Sequence, residues 1–151
     1  MEEQENSEGF VVDGSRNSMQ WPAMTAIYDI LTYAAMGEAV DVEGIVSNLF
    51  DEPFENCDYF VKAAAIYSVK YYQEAVKAIE SHMIRWTFQR RSRVEQAIYL
   101  LAYVHFYYIE PEVSKAIVIS IALRLAKTFL DKDDYKFVNA VLDKTLVREK
   151  A

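Results

Sequence analysis

Asp134-Tyr135-Lys136-Phe137-Val138-Asn139-Ala140-Val141-Leu142-Asp143-Lys144 stands near the end of the chain, with apolar residues at 137, 138, 141 and 142 and polar or charged ones between them. Spacings of three and four put those side chains on one face of a helix, and the alternation a strand needs is missing. Asp133 or Asp134 is the expected N-cap, since a short carboxylate ahead of the apolar run can accept a first-turn N–H. The face continues through Thr145 and Leu146. As chemistry the stretch is an amphipathic helix with an acidic start and offers nothing catalytic. Such a helix must bury its apolar face against other elements.

The preceding residues supply those elements, and they too read as helices. Ser114 can cap a helix carrying Ile117, Ile121, Leu125 and Phe129. Ser92-Arg93-Val94-Glu95 has the form of a capping box opening a helix through Ile98, Leu101, Ala102 and Phe106, which must end before Pro111. A long helix is expected from about Asp58 towards His82, with Phe60, Ala64, Tyr67, Tyr71, Ala75 and Ala78 on one side. Val61, Ala65, Tyr72, Val76 and Ile79 broaden its stripe. Asp41 starts a short helix ended by Asp51-Glu52-Pro53. The first helix places Trp21, Met24, Tyr28, Leu31 and Ala35 on one face, with Ser18 as N-cap, Pro22 in the first turn and Gly37 as stop.

Bulk properties agree with a single helical domain of 151 residues. Apolar residues make up 52% of the chain, enough for a sizeable core, while four Gly and three Pro are too few for the turns of an all-β fold. The lone Cys57 cannot form an internal disulfide, which fits a reducing cytoplasm. The start, Met1-Glu2-Glu3-Gln4-Glu5, lacks the apolar core of a secretory signal. The apolar run Ala116 to Leu123, eight residues that include Ser120 and stop at Arg124, is far too short to span a membrane.

Sixteen basic residues against 23 acidic ones give a net charge of −7, unlike the basic balance of most nucleic-acid domains. The imbalance sits at the start. Residues 1–13 hold five acids and no Lys or Arg, which leaves sixteen basic against eighteen acidic residues elsewhere. Residues 1–13 therefore read as an acidic disordered arm, either a solubilising tail or a competitor of RNA for a basic surface.

Two signatures at a fixed separation carry a family resemblance. Leu125-Ala126-Lys127-Thr128-Phe129 followed by Phe137-Val138-Asn139-Ala140-Val141-Leu142-Asp143 resembles the end of the NusB family of transcription antitermination factors. Trp86, Arg90 and Arg93-Val94-Glu95-Gln96-Ala97-Ile98 resemble the segment leading into that family's fourth major helix, so the likeness extends over residues 86–146. Earlier, only Ala23-Met24-Thr25-Ala26-Ile27-Tyr28 resembles the family's first helix. The resemblance implies an all-α, single NusB-like domain of two packed helical bundles with about six or seven helices. It would occupy residues 14–151, with an N-terminal half over 14–81 and a C-terminal half over 82–151. It further implies a cytoplasmic bacterial factor that pairs with the ribosomal protein NusE and binds the boxA element of ribosomal-RNA leaders. A homodimer through a helical face is among the states the resemblance allows.

In the family, an arginine-rich segment before the first helix meets RNA. Here that segment, Arg16-Asn17-Ser18-Met19-Gln20, keeps one arginine. Lys136 and Phe137 match positions at the family's RNA surface, while Phe137 reads equally well as a core residue of its helix. A compensating cluster is Arg85-Trp86-Thr87-Phe88-Gln89-Arg90-Arg91-Ser92-Arg93, where Arg85, Arg90, Arg91 and Arg93 interleave with two aromatics. Guanidiniums fork onto phosphates and aromatics stack on unpaired bases. The same stretch also reads as a connector whose Trp86 and Phe88 plug a junction while its arginines stay solvated or pair with acids. RNA binding is favoured if these arginines and Arg16 converge near Phe137.

Further departures concern the interior. The family has Arg where Leu100 stands, Glu where His105 stands and Asn-Glu where Ser120-Ile121 stands. A polar interhelical cluster exchanged for packing would leave Leu100 and Ile121 buried and adjacent, and Ala140 in place of Gly would push a neighbouring helix outward. Catalysis finds no support. His82, His105 and Cys57 lack zinc-site spacing, and no glycine-rich phosphate loop or nucleophile elbow is present, so no cofactor or metal is expected. Two functions follow: an RNA-binding antitermination factor working with a NusE-type partner, or a protein-interaction module of the same fold that has lost RNA binding.

Overall fold

The computed structural model describes residues 16–148, and the acidic arm expected over residues 1–13 lies outside them. Among the described residues the chain forms seven α-helices and no strand. They are α1 (Gln20–Ala35), α2 (Val42–Phe50), α3 (Tyr59–Lys70), α4 (Tyr72–Glu80), α5 (Arg93–Val104), α6 (Lys115–Phe129) and α7 (Lys132–Thr145). Helix α5 lies at the centre, packing on α1, α3, α4, α6 and α7. Its residues from Glu95 to Val104 are all buried, and α5 runs on into a π-helical turn over His105–Ile109. Around it, α1, α2 and α3 pack together on one side and α6 and α7 on the other.

Local chemistry explains most helix ends. Asp41, Asp58, Ser92 and Ser114 each accept a backbone N–H in the first turn of the helix they precede. Gly37, at φ +75°, follows α1, and Glu38 N–H closes onto Tyr33 O at 2.9 Å, as a left-handed glycine stop does.

Several expectations are corrected. The residue before α1 is Met19, whose thioether has no cap to offer, so Ser18 is not the N-cap. The cap of α7 is Asp131, which accepts from Asp134 N–H at 3.0 Å, so Asp133 and Asp134 lie inside the first turn. The long helix expected from Asp58 to His82 is broken at Tyr71, at φ −107° and ψ 20°. There the Tyr71 ring stacks on Tyr108 at 3.8 Å, and α4 turns away to pack on α5 and α7. The burial expected of Leu100 and Ile121 is observed, and the two line different hollows. Leu100 faces a groove with Ile27 and Ile30, while Ile121 faces a void of about 10 Å³ with Gln20, Leu101 and His105. Polar chemistry persists there: both polar atoms of the buried Gln20 amide lack a hydrogen-bond partner. Ala140 is exposed, so its methyl displaces no neighbouring helix.

Candidate nucleic-acid interface

The connector between α4 and α5 builds the candidate surface. Glu80 accepts the Phe88 N–H at 2.7 Å, and Gln96 Nε2 donates to Phe88 O and Arg91 O at 2.9 and 3.2 Å. These bonds fix a 3₁₀ turn over Phe88–Arg90 and drive Phe88 into the core, edge-on to Tyr72. Trp86 does not follow it inward: 40% of its surface stays exposed. Phe88 alone therefore plugs the junction. Ahead of both, Arg85 is exposed in a left-handed conformation at φ +67°.

Arg91 is the pivot. Its Nε and Nη2 donate to the two oxygens of Glu95 at 2.8 and 2.9 Å, and Nη2 reaches Asp134 Oδ1 at 3.0 Å. Tyr99 donates its hydroxyl to Glu95 Oε2 at 2.8 Å. The guanidinium also lies 4.5 Å from the Trp86 ring centre and 4.3 Å from that of Phe137. Both rings thus present a face to one cation, an arrangement favoured by the ring quadrupole. The Arg91 and Glu95 side chains are only 7% and 1% exposed. Burial works against the Arg91 charge, but hydrogen bonding and attraction from Glu95 outweigh it and hold the guanidinium above its ordinary range. Burial, followed by the Glu95 charge, pushes the Tyr99 hydroxyl far up.

This network revises the capping box. Ser92 does accept from Glu95 N–H, but the Glu95 carboxylate turns inward to Arg91 and Tyr99. Helical four-residue spacing brings Glu95 to Tyr99, but Arg91 lies in extended backbone ahead of α5, so its approach to Glu95 depends on the turn before the helix. The pairing of Asp134 and Glu95 with Arg91 is what sequence reasoning missed.

The seven candidate residues separate into groups. Arg90 lies over the outer part of the Trp86 site, 5.0 Å from the ring centre, and is exposed like Arg85. Phe137 is half-buried against the Arg91 guanidinium, and Lys136 beside it is exposed. Arg93 turns towards α1, donating to Thr32 Oγ1 at 3.3 Å. Arg16 lies beyond the opposite end of α5, about 18 Å of helix away. There its Nε donates to Glu110 Oε1 at 2.8 Å, and His105 Nε2 meets the same oxygen at 2.6 Å. Burial lowers the His105 pKa despite Glu110. Burial favours protonating Glu110, but hydrogen bonds from His105 and Arg16 prevail and hold its carboxyl below the usual range. Arg90 and Arg91 therefore share the Trp86 ring, and Arg91 alone of the arginines is seen against Phe137; Arg93 lines the hollow beside Arg91 but turns to Thr32, and Arg16 is tied to Glu110.

Among the described residues no cluster of His, Cys, Asp and Glu could hold a metal, and no helix is long and apolar enough to cross a membrane. Cys57 is buried, with its Sγ 3.4 Å from Pro53 O, and burial pushes its thiol up.

Comparison with known proteins places this arrangement in a family. The model of the NusB family matches residues 23–146. A transcription antitermination protein NusB from Treponema denticola is 32% identical over 123 residues, covering 76% of this chain and 89% of that protein. One from Lysinibacillus sphaericus is 33% identical over 82 residues, covering 54% of this chain and 64% of that protein. The solved structure of T. maritima NusB superposes with a TM-score of 0.73 at 20% identity, covering 87% of this chain and 90% of that one. The fold is thus shared with a solved NusB, and the chain belongs to the NusB family.

Proposed function

We propose that this chain acts by binding, as a cytoplasmic bacterial transcription antitermination factor that docks a NusE-type ribosomal protein and holds boxA-like leader RNA with it. Relatives over most of its length carry the name transcription antitermination protein, which supports that class and a non-enzymatic role. The observation that carries the RNA part is the half-exposed Trp86 ring with Arg90 over it, next to Phe137 and the exposed Lys136. A half-exposed indole beside mobile cations can stack on an unpaired base while the cations take its phosphates. In this reading Arg85, Arg90, Lys136 and Phe137 meet RNA. Arg91 positions Trp86 and Phe137, and Arg16 and Arg93 stand apart from that face.

The second reading is a protein-interaction module that has lost RNA binding. It is favoured by Arg91 and Arg16 already being neutralised by Glu95, Asp134 and Glu110. Co-purification with the NusE-type ribosomal protein, followed by boxA-like RNA titrations with and without it, separates the two. The first reading expects a complex whose RNA affinity falls with salt, and Arg85→Gln, Arg90→Gln and Lys136→Gln each to flatten the salt slope by about 0.7. A protein complex without RNA affinity selects the second reading, and no complex with either defeats the first.

A further inference from the structure

Away from the Trp86 face, a second concentration of positive charge lies between α6 and α7. A shallow groove of about 690 Å³ is rimmed by Lys115, Arg124 and Lys127 of α6 and by a single carboxylate, Asp143 of α7. Lys115 and Asp143 form an exposed ion pair at 3.2 Å. Such a pair holds little energy and exchanges readily for another anion. Arg124 and Lys127 are exposed, and Ser120 and Asn139 add a hydroxyl and an amide to the lining. In a chain of net charge −7, a groove with three cations and one acid departs from the general balance.

Helix geometry gives the groove its reach. Lys115 and Lys127 are twelve residues apart on one helix, about 18 Å along its axis. On α7, Lys136 precedes Asn139 by three residues, so it shares that side of the helix, and Phe137 follows it directly. Lys136 thus adds a cation on the groove side of α7, one turn nearer the helix start, where Asp134 reaches the Arg91 that lies against Trp86. The floor between the cations is aliphatic, contributed by α6, and the ring beside it, Tyr135 of α7, lies against Lys127 at 5.3 Å. With an aliphatic floor and no array of donors fitted to base edges, the groove suits a backbone of phosphates, which position a strand without reading its sequence. Arg124 can fork onto a phosphate while the two lysines act as point charges.

We infer that the α6–α7 groove is a phosphate track, in which Lys115, Arg124 and Lys127 hold the backbone of single-stranded RNA leaving the Trp86–Phe137 face. The inference rests on the RNA-binding reading above. It supplies phosphate contacts that the segment around Arg16 no longer provides. Lys115 moves from Asp143 to a phosphate when RNA enters.

The test uses the full chain with its NusE-type ribosomal protein. The triple variant Lys115→Gln, Arg124→Gln, Lys127→Gln is compared with Lys62→Gln, Lys70→Gln, Lys77→Gln, a control of equal charge change on α3 and α4. Affinity for a boxA-like RNA and for a scrambled RNA of equal length is measured against salt. The groove variant is expected to flatten the slope of log affinity on log salt by about 2, so that a fourfold rise in salt costs it about 20-fold less affinity than wild type. Both RNAs are expected to weaken alike, and the control to keep the wild-type slope. Arg124→Gln alone, at an exposed site, is expected to flatten the slope by about 0.7. Equal slopes for groove variant and control overturn the track and leave the function above standing. So does a groove variant that keeps its RNA slope but no longer captures the ribosomal protein, which would assign the groove to protein. Wild-type protein that binds no RNA even with its partner overturns both.

Discussion

Replacing Arg91 by methionine isolates the network that ties the start of α5 to the start of α7. The substitution keeps a long side chain between Trp86 and Phe137 but removes every charge-assisted bond to Glu95 and Asp134. Asp134 is 40% exposed and can turn to water, whereas Glu95, 1% exposed, is left with the Tyr99 hydroxyl. Stranding one partner of a buried pair costs about 3–5 kcal/mol. For a chain of this length each kcal/mol lowers Tm by about 2–4 °C, so the melting temperature should fall by roughly 6–20 °C. Glu95→Gln removes the buried charge while keeping its shape, and combined with Arg91→Met it should recover a good part of the loss. Thermal and urea unfolding of wild type, both single variants and the double variant give the coupling energy, expected to exceed about 1.5 kcal/mol. Single costs that add within about 0.5 kcal/mol, or an Arg91→Met protein melting within a degree or two of wild type, would refute the reasoning. The same experiment guards against a misreading: lost RNA binding in an Arg91 variant reports displaced rings before it reports a lost phosphate contact.

Three other outcomes are expected. Asp131→Ala should destabilise the fold by about 1 kcal/mol through loss of the α7 cap, while Asp133→Ala should cost clearly less; equal melting temperatures for the two would return the cap to Asp133. Gly37→Ala meets no atom within 4 Å, so its cost of about 1 kcal/mol comes from the left-handed backbone alone, and a melting temperature above wild type would contradict it. His105 has a folded pKa below its ordinary 6.5, so the unfolded chain takes up the proton first and stability falls as pH drops below that value. Glu110, also lowered, adds a second fall as pH drops below its ordinary 4.5 and through its folded value. His105→Phe should flatten the Tm profile between about pH 7 and pH 5 and, because His105 also helps hold Glu110 down, shrink the more acidic limb to the part that Arg16 supports.

What the sequence displayed, and what it concealed, follows from how far each interaction reaches. Helix faces are periodic, so the apolar stripes of α5, α6 and α7 were readable, as were the caps Asp41, Ser92 and Ser114 and the stop at Gly37. The α3–α4 break was hidden because Tyr71 fits the helical stripe, and its departure depends on Tyr108, distant in the chain. The same limit applies at the candidate interface. The cluster of Arg85, Arg90, Arg91 and Arg93 was visible as composition, but which guanidinium is committed inside depends on Asp134, 43 positions from Arg91. Arg16 was readable as the lone arginine of its segment, and its tie to Glu110 across 94 positions was not. The α6–α7 groove escaped notice because its cations are spread along α6, whose apolar face drew the reading.

The unbroken burial of α5 bears on how the chain can be divided. A helix wrapped on every side belongs equally to the elements before and after it. Cutting in the connector at residues 81–92 would strip α1, α3 and α4 from α5 and leave both fragments with large apolar faces turned to water. Each fragment would need the other to cover α5, and a partner that binds the folded chain through either one stabilises it by mass action.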